Sequence, residues 1–326
     1  MNGIRSDLFL GIDIGGTKCA AVLGDSSFSI KRKVFFETKV ERGYQAILDE
    51  FQRHIDSMLT EFPPGSLKRI GISCGGPLDS KEGVIYSPPN LPGWDQVPVV
   101  KLFSVRYGVP TALQNDANAC ALAEWMMGAG RGTRNMIFLT FGTGMGAGLI
   151  LNGKLYSGTS DLGGEVGHIR LAPDGPVGFG KAGSFEGFCS GGGIAQLARS
   201  VVAEKLKNKQ AVGFCSSPEM LPEIDARMVA QAAQAGDPVA NEIIGISAGY
   251  LGMGLSILVD VLNPECIVIG SIYARNEALF KPLVEKVLQQ EAIPSALKVC
   301  RIKPAELGDS IGDYAALCVA LYKEEF

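Results

Sequence analysis

The sequence predicts an α/β protein built from two related units. Apolar runs of strand length alternate with segments of helical period along the chain. A glycine-turn hairpin near the start, FLGIDIGGTKCAAVL, is matched by a second with similar flanks, IFLTFGTGMGAGLIL, which points to a duplicated unit. At 326 residues, 46% of them apolar and 20% charged, the chain has room for two domains with sizeable cores.

Residues 8–14 alternate large apolar residues with Gly and Asp and read as a buried strand. Gly15, Gly16, Thr17 and Lys18 make the turn, and 19–23 return as a second strand. The glycines let the backbone bend sharply and leave N–H groups unobstructed. With Asp13 at the strand end, placed to hold a hydrated Mg²⁺, the corner suits a phosphate and a metal. The plainer reading is a tight hairpin with a surface lysine. It is neither a P-loop nor a Rossmann turn, since GxxxxGK[ST] and GxGxxG are missing there.

Residues 27–38 supply a third strand. In 44–59, Tyr44, Ile47, Leu48, Phe51, Ile55, Met58 and Leu59 fall at helical spacing, with His54 on the solvated side, and Pro63-Pro64-Gly65 closes the segment. Residues 69–73 form a strand running into Cys74-Gly75-Gly76-Pro77, a loop with two free N–H groups. The Pro-rich, irregular 84–94 has the length of a binding loop. A helix over 99–107 and a strand over 110–113 lead to Gln114-Asn115-Asp116-Ala117-Asn118 and an Ala-rich helix, 119–127. By position, Asp116 is either that helix's N-cap or a functional carboxylate.

Residues 136–141 are a strand, Gly142-Thr143-Gly144-Met145-Gly146 the second glycine turn, and 147–151 its return strand. Asn152-Gly153 is a hairpin turn before a strand at 154–156. Glu165 and His168 follow in GGEVGHIR, and Glu186 lies in a glycine-rich stretch. Helices are expected over 191–203 and 225–235, and from Asp237-Pro238, an N-cap and N1 pair, to Leu262. Strands at 265–270 and 297–302 and helices at 277–289 and 310–322 complete the chain. Residues 243–259 lack charge for 17 positions, but Ser, Tyr and four glycines mark a core helix rather than a membrane span.

A net charge of −4 without a Lys/Arg cluster gives no nucleic-acid footprint. The 42 glycines concentrate in short loops beside apolar runs, which suits close backbone approach to a ligand. The 8 cysteines are scattered, none in CxxC spacing, and read as reduced core residues of a cytoplasmic protein. No apolar leader segment is evident at the N-terminus.

In order and spacing, GIDIGGTK, GGPLD, NLPGW, QNDANACALAE, FGTGMGAGLI, GGEVGHI and IVIGS resemble the ROK family of repressors, open reading frames and kinases. The resemblance covers nearly the whole chain. It implies the two-lobed actin-like (ribonuclease-H-like) ATPase fold with a nucleotide cleft between lobes. Residues 1–117 and 314–326 fall in the first lobe and 118–313 in the second. It implies an ATP-dependent sugar kinase that passes the γ-phosphoryl group to a hexose 6-hydroxyl, as a glucokinase does. The alternatives are an N-acetylmannosamine kinase or a sugar-sensing regulator without turnover. With the hairpin starting at residue 8, the DNA-binding segment that family repressors carry in front is not expected here.

By the same resemblance Asp116 is the base and Asn115 its neighbouring sugar ligand. Glu165, His168 and Glu186 hold other sugar hydroxyls, and Gly75 and Gly76 pass close to the sugar. Asp13 holds Mg²⁺ through water. Gly15, Gly16, Thr17, Gly142, Thr143 and Gly144 cradle phosphates, Lys18 is a charge partner or merely surface, and Gly270 lies against adenosine. ATP and Mg²⁺ are the implied cofactors, a small sugar the implied partner, with no nucleic acid or membrane, and a homodimer the implied assembly. One departure stands out. Family members often carry a His, matched here by His168, and three Cys that bind structural zinc. Here the cysteine positions hold Val177, Phe179 and Ser184. No structural zinc is expected, and Val177 and Phe179 are expected to pack apolar surface instead.

Overall fold

In the computed structural model, which describes residues 7–323, the alternating run near the N-terminus is strand β1, Leu8–Ile14. The ends of the predicted first lobe, 1–6 and 324–326, and the start of the stretch read for a leader lie outside the described residues. Two units emerge. One runs to Arg131 and takes in Lys154–Gly163 and the chain from Asp309; the other is Gly132–Gly153 with Gly164–Gly308. This division keeps the helix after Asp116 with the first sheet, whereas the sequence-based boundary was drawn at 117.

In the first unit β1 pairs antiparallel with β2, Lys18–Asp25, and β2 with β3, Ile30–Glu37. Helix α1, Gly43–Leu59, buries Ile47, Leu48, Phe51, Ile55 and Met58, the stripe its spacing predicts. His54 is not fully solvated: it stacks on Phe36 at 5.6 Å and lies 3.7 Å from Glu50. Strand β4, Leu67–Cys74, is followed by short strands β5, Leu78–Asp79, and β6, Val84–Ile85, then α2, Val99–Tyr107, and β7, Thr111–Asn115. The sheet order is β3-β2-β1-β4-β7, with β1, β4 and β7 parallel. Helix α3, Asp116–Met126, begins three residues before the predicted start, because Asn115 caps it by accepting the Asn118 N–H at 2.9 Å.

The second unit opens with β8, Met136–Leu139, and β9, Ala147–Leu151, antiparallel around the second glycine turn. Asn152 (φ 55°) and Gly153 (φ 78°) turn, as an Asn-Gly pair should, into β10, Lys154–Tyr156, which is grouped with the first unit. A small hairpin follows, β11, Val177–Gly178, with β12, Lys181–Ala182. Helices α4, Phe185–Phe188, α5, Gly191–Lys207, and α6, Ala226–Gln234, lead to α7, Pro238–Leu262. Asp237 caps α7 by accepting the Val239 and Ala240 N–H groups, both at 2.9 Å. Among the described residues this is the one helix long and apolar enough to cross a membrane, and 61% of its most apolar window is buried inside the protein, as befits a core helix.

Strand β13, Cys266–Ile269, lies between β8 and β14, Arg301–Pro304, and is parallel to both. Between β13 and β14 run α8, Ser271–Arg275, α9, Glu277–Glu291, and α10, Pro294–Val299. The strand predicted over 297–302 is thus helical in its first half: Pro294 sits at N1, pre-set for a helix. The chain ends in α11, Ile311–Leu321, which lies on β1 and β4 of the first unit. Its backbone comes so close that a Cβ on Gly11 would stand 2.5 Å from the Leu317 nitrogen, and one on Gly71 2.2 Å from the Ala320 nitrogen. All eight cysteines are free thiols, and all but half-buried Cys120 are buried.

Candidate functional site

Parallel pairing aligns Ile14, Cys74 and Asn115 in one row across β1, β4 and β7. The next residues are Gly15, Gly75 and Asp116. Three predicted site segments therefore leave the carboxyl ends of adjacent parallel strands, where α/β sheets bind ligands.

The glycines of the first turn are needed for space rather than for bending. Neither has a left-handed φ. A Cβ on Gly15 would lie 2.6 Å from the Lys18 carbonyl oxygen, and one on Gly16 2.6 Å from that of Asn90. Asn90 is the exposed tip of the 87–94 loop, whose Leu91 and Trp94 are fully buried. The Ser87 N–H closes the loop on the Trp94 carbonyl at 2.8 Å. The Asn90 amide also lies 3.7–3.8 Å from where a Gly75 Cβ would be. Asn90 thus touches two of the predicted corners, a placement that sequence reading missed. Gly16→Ala is expected to displace this loop, lowering stability by about 1–3 kcal/mol. A lower denaturant midpoint together with impaired nucleotide binding is the readout.

Asp13 pairs with Ser73 across β1 and β4 and accepts a hydrogen bond from it. Burial, followed by the charges of Asp116 and Asp313, pushes its carboxyl up to about 7; Ser73 and Lys18 act against this. Asp313 is itself paired with Lys33 at 2.6 Å. Lys18 rests its ammonium 4.2 Å from the Phe35 ring centroid, so it combines a surface packing role with a weak charge on Asp13. Thr17 is exposed beside it.

Asp116 is the first residue of α3, not its cap. Its Oδ1 accepts the Ala117 N–H at 2.8 Å. Asp116 is open to solvent on one side, and desolvation by the protein packed around the rest of its carboxyl raises its pKa above the ordinary carboxylate value, opposed by backbone N–H groups. With Asn115 doing the capping, the carboxylate is left for chemistry. Gly76 precedes Pro77 through a cis peptide bond.

In the second unit, the Glu186 Oε2 accepts the Met145 N–H at 2.9 Å and lies 2.8 Å from where a Gly144 Cβ would be. A Cβ on Gly167 would be 2.3 Å from the Met145 carbonyl and 3.2 Å from the Glu186 Cβ. The turn carrying Glu165 and His168 is therefore seated on the Gly142-Thr143-Gly144 corner, with Glu186 between them. Glu165 precedes this 3₁₀ turn and is exposed, while His168 is half-buried.

Gly142 and Thr143 also line a cavity of 830 Å³. Its other walls are Gly191 and Gly192 at the start of α5, a polar face of α6 with Arg227, Gln231 and Gln234, and Ser271, Arg275 and Asn276 around α8. Gly270 is not in the lining, but it donates to the Leu139 carbonyl at 2.9 Å and sets Ser271 there. Sequence reading missed the α6 and α8 residues; their only local signal was the polar side of an amphipathic helix.

The expected apolar packing of Val177 and Phe179 is corrected: they are 45% and 76% exposed. Phe179 (φ 44°) and Gly180 (φ 75°) form the two-residue turn between β11 and β12, which lifts these side chains to the surface. Ser184 is buried and caps α4, accepting the Gly187 N–H at 3.1 Å.

The sequence model of the ROK family matches residues 9–323. A glucokinase from Thermotoga maritima is 31% identical over 313 residues, 95% of this chain and 96% of that protein. Among solved structures, a ROK hexokinase from Thermus thermophilus is similar with a TM-score of 0.76 at 29% identity, covering 96% of this chain and 97% of that one. A ROK family glucokinase from Streptomyces griseus, in complex with glucose and AMPPNP, is similar with a TM-score of 0.74 at 27% identity, covering 96% and 99%.

Proposed function

The chain belongs to the ROK family and has the two-lobed actin-like ATPase fold, and from that premise we propose that it is an ATP-dependent kinase for the 6-hydroxyl of a hexose, glucose before N-acetylmannosamine. The observation that carries this reading is Asp116: a solvent-accessible carboxylate, relieved of capping, at the strand ends beside Gly15 and Gly75. Asp116 takes the proton of the acceptor hydroxyl as its oxygen bonds to the γ-phosphorus. The bond from that phosphorus to the bridging oxygen breaks, and ADP leaves with the electron pair.

In the first unit, Gly15, Gly16 and Thr17 offer N–H groups to phosphate, and Lys18 adds charge. Asn115 binds the sugar with its free amide N–H₂, its oxygen being committed to the α3 cap, and Gly75 and Gly76 border the sugar. In the second unit, Gly142, Thr143 and Gly144 bind phosphate, and the 830 Å³ cavity past Gly270 takes adenosine. Glu165, His168 and the second oxygen of Glu186 bind sugar hydroxyls.

Asp13 fits a cation, since burial and two neighbouring carboxylates leave its charge poorly compensated. Among the described residues no three His, Cys, Asp or Glu side chains form a metal cage. A single carboxylate with retained waters is how Mg²⁺ is commonly held beside substrate phosphates. When bound there it would neutralise phosphate charge. We further propose a cytoplasmic homodimer. The unpaired thiols support the compartment, and exposed Met253, Ile257 and Val261 along α7 support the assembly.

An ADP-release assay across a sugar panel tests the reading. Release that requires both ATP and a hexose, and is lost in Asp116→Ala, is the expected result. Sugar binding without stimulated release would replace the kinase with a sensor.

A further inference from the structure

Phe179 is costly where it stands. Its side chain is 76% exposed, and its φ of 44° is left-handed, a region that disfavours a bulky residue. Two-residue hairpin turns with both φ positive are filled most easily by Asn or Gly. The contact it makes for that cost is specific. Its ring meets the His168 imidazole edge to face, centroids 5.2 Å apart and planes at 78°. Two residues on, the Lys181 ammonium donates to the His168 carbonyl oxygen at 2.7 Å. One hairpin therefore holds both the ring and the backbone of His168.

That hairpin is itself fixed. The Gln196 amide grips Val177 twice, accepting its N–H at 3.0 Å and donating to its carbonyl at 2.9 Å. Arg170 donates to the Ala182 carbonyl at 2.7 Å. From beneath, the His168 turn is held by the close approach of Gly167 to the Met145 carbonyl. The imidazole is half-buried and would otherwise turn about its side-chain bonds, so an edge contact selects one orientation before ligand arrives.

We propose that Phe179 is a positioning residue that orients the His168 imidazole toward the sugar, with Lys181 fixing the backbone behind it. This rests on the reading of His168 as a sugar ligand. The inference makes the β11–β12 hairpin a determinant of sugar affinity, although neither Phe179 nor Lys181 need touch the sugar.

Stability and affinity should move in opposite directions. Phe179→Asn suits the left-handed position and removes an exposed ring, so the thermal midpoint stays level or rises. The KM for glucose, or for the best sugar of the panel, is expected to rise about three- to tenfold, the worth of an edge-to-face pair. The KM for ATP and kcat should stay within about twofold. Phe179→Tyr keeps the ring and should keep the wild-type KM. In a His168→Ala background, Phe179→Asn should add nothing further. The proposal is overturned if His168→Ala raises the sugar KM but Phe179→Asn does not. It is equally overturned if the Phe179→Asn effect persists without the imidazole or comes with a lower midpoint. If His168→Ala leaves the sugar KM unchanged, the sugar-ligand reading of His168 fails first and takes this inference with it.

Discussion

Asp116→Asn is expected to lower kcat by about 10²–10⁴-fold, with the sugar KM shifted by less than about threefold. The substitution isolates basicity. Helix α3 keeps its start because Asn115, not Asp116, accepts the Asn118 N–H. The new amide oxygen can still accept the Ala117 N–H that Asp116 Oδ1 now holds at 2.8 Å. Fold and sugar site should therefore survive, and what disappears is a carboxylate able to take a proton. Desolvation by the surrounding protein raises the pKa of Asp116 above the ordinary 3.8, so the wild-type rate should begin to fall at higher pH than an unperturbed aspartate would dictate. That acid limb should be missing from the residual rate of the variant. Asn115→Ala is the contrasting control: it loses a cap worth about 1 kcal/mol, and it lowers stability together with affinity. An Asp116→Asn enzyme that turns over within about tenfold of wild type, at unchanged melting temperature, would place the base elsewhere.

Elements were legible where local chemistry and tertiary demand agree. Asp237-Pro238 marks the start of α7 because a cap and a pre-set φ act within one turn. The first hairpin is legible because its apolar alternation matches the face buried in the sheet. Where local apolarity and geometry disagree, geometry prevails. Val177 and Phe179 look like core residues, yet a tight turn turns them outward. Residues 297–299 look like the start of a strand, yet Pro294 opens a helix. Within the site, the strand-end residues announce themselves, since glycines and carboxylates interrupt apolar runs. Arg227, Gln231 and Gln234 of the cavity carry no such mark, because a solvated helix face has the same spacing. Asn90 gains its place from a loop whose path no local rule dictates.

Asp13→Asn is expected to disable the enzyme and stabilise the protein. Lost neutralisation of phosphate charge should reduce kcat/KM by about 10²–10³-fold or more. Stability should change in the opposite sense, and its pH dependence follows from the direction of the Asp13 shift. The folded protein holds the Asp13 proton up to about pH 7, whereas the unfolded chain releases it near 3.8. The stability associated with that proton is thus fully present below pH 3.8 and is lost as pH rises through 7. By pH 8 the wild-type protein, free of metal and nucleotide, carries a half-buried, poorly solvated anion beside Asp116 and Asp313 at a cost of about 2–4 kcal/mol. An asparagine removes that charge while retaining an acceptor for Ser73. Denaturant unfolding should therefore show wild type and variant converging near pH 4 and separating progressively to pH 8, the variant the more stable. Added Mg²⁺ should raise the wild-type midpoint at pH 8 and leave that of Asp13→Asn nearly unchanged, because only the wild type has an anion for the cation to compensate. Parallel stability curves from pH 4 to 8 would mean that Asp13 is not held protonated by the fold, and would remove the physical ground for a cation at this corner.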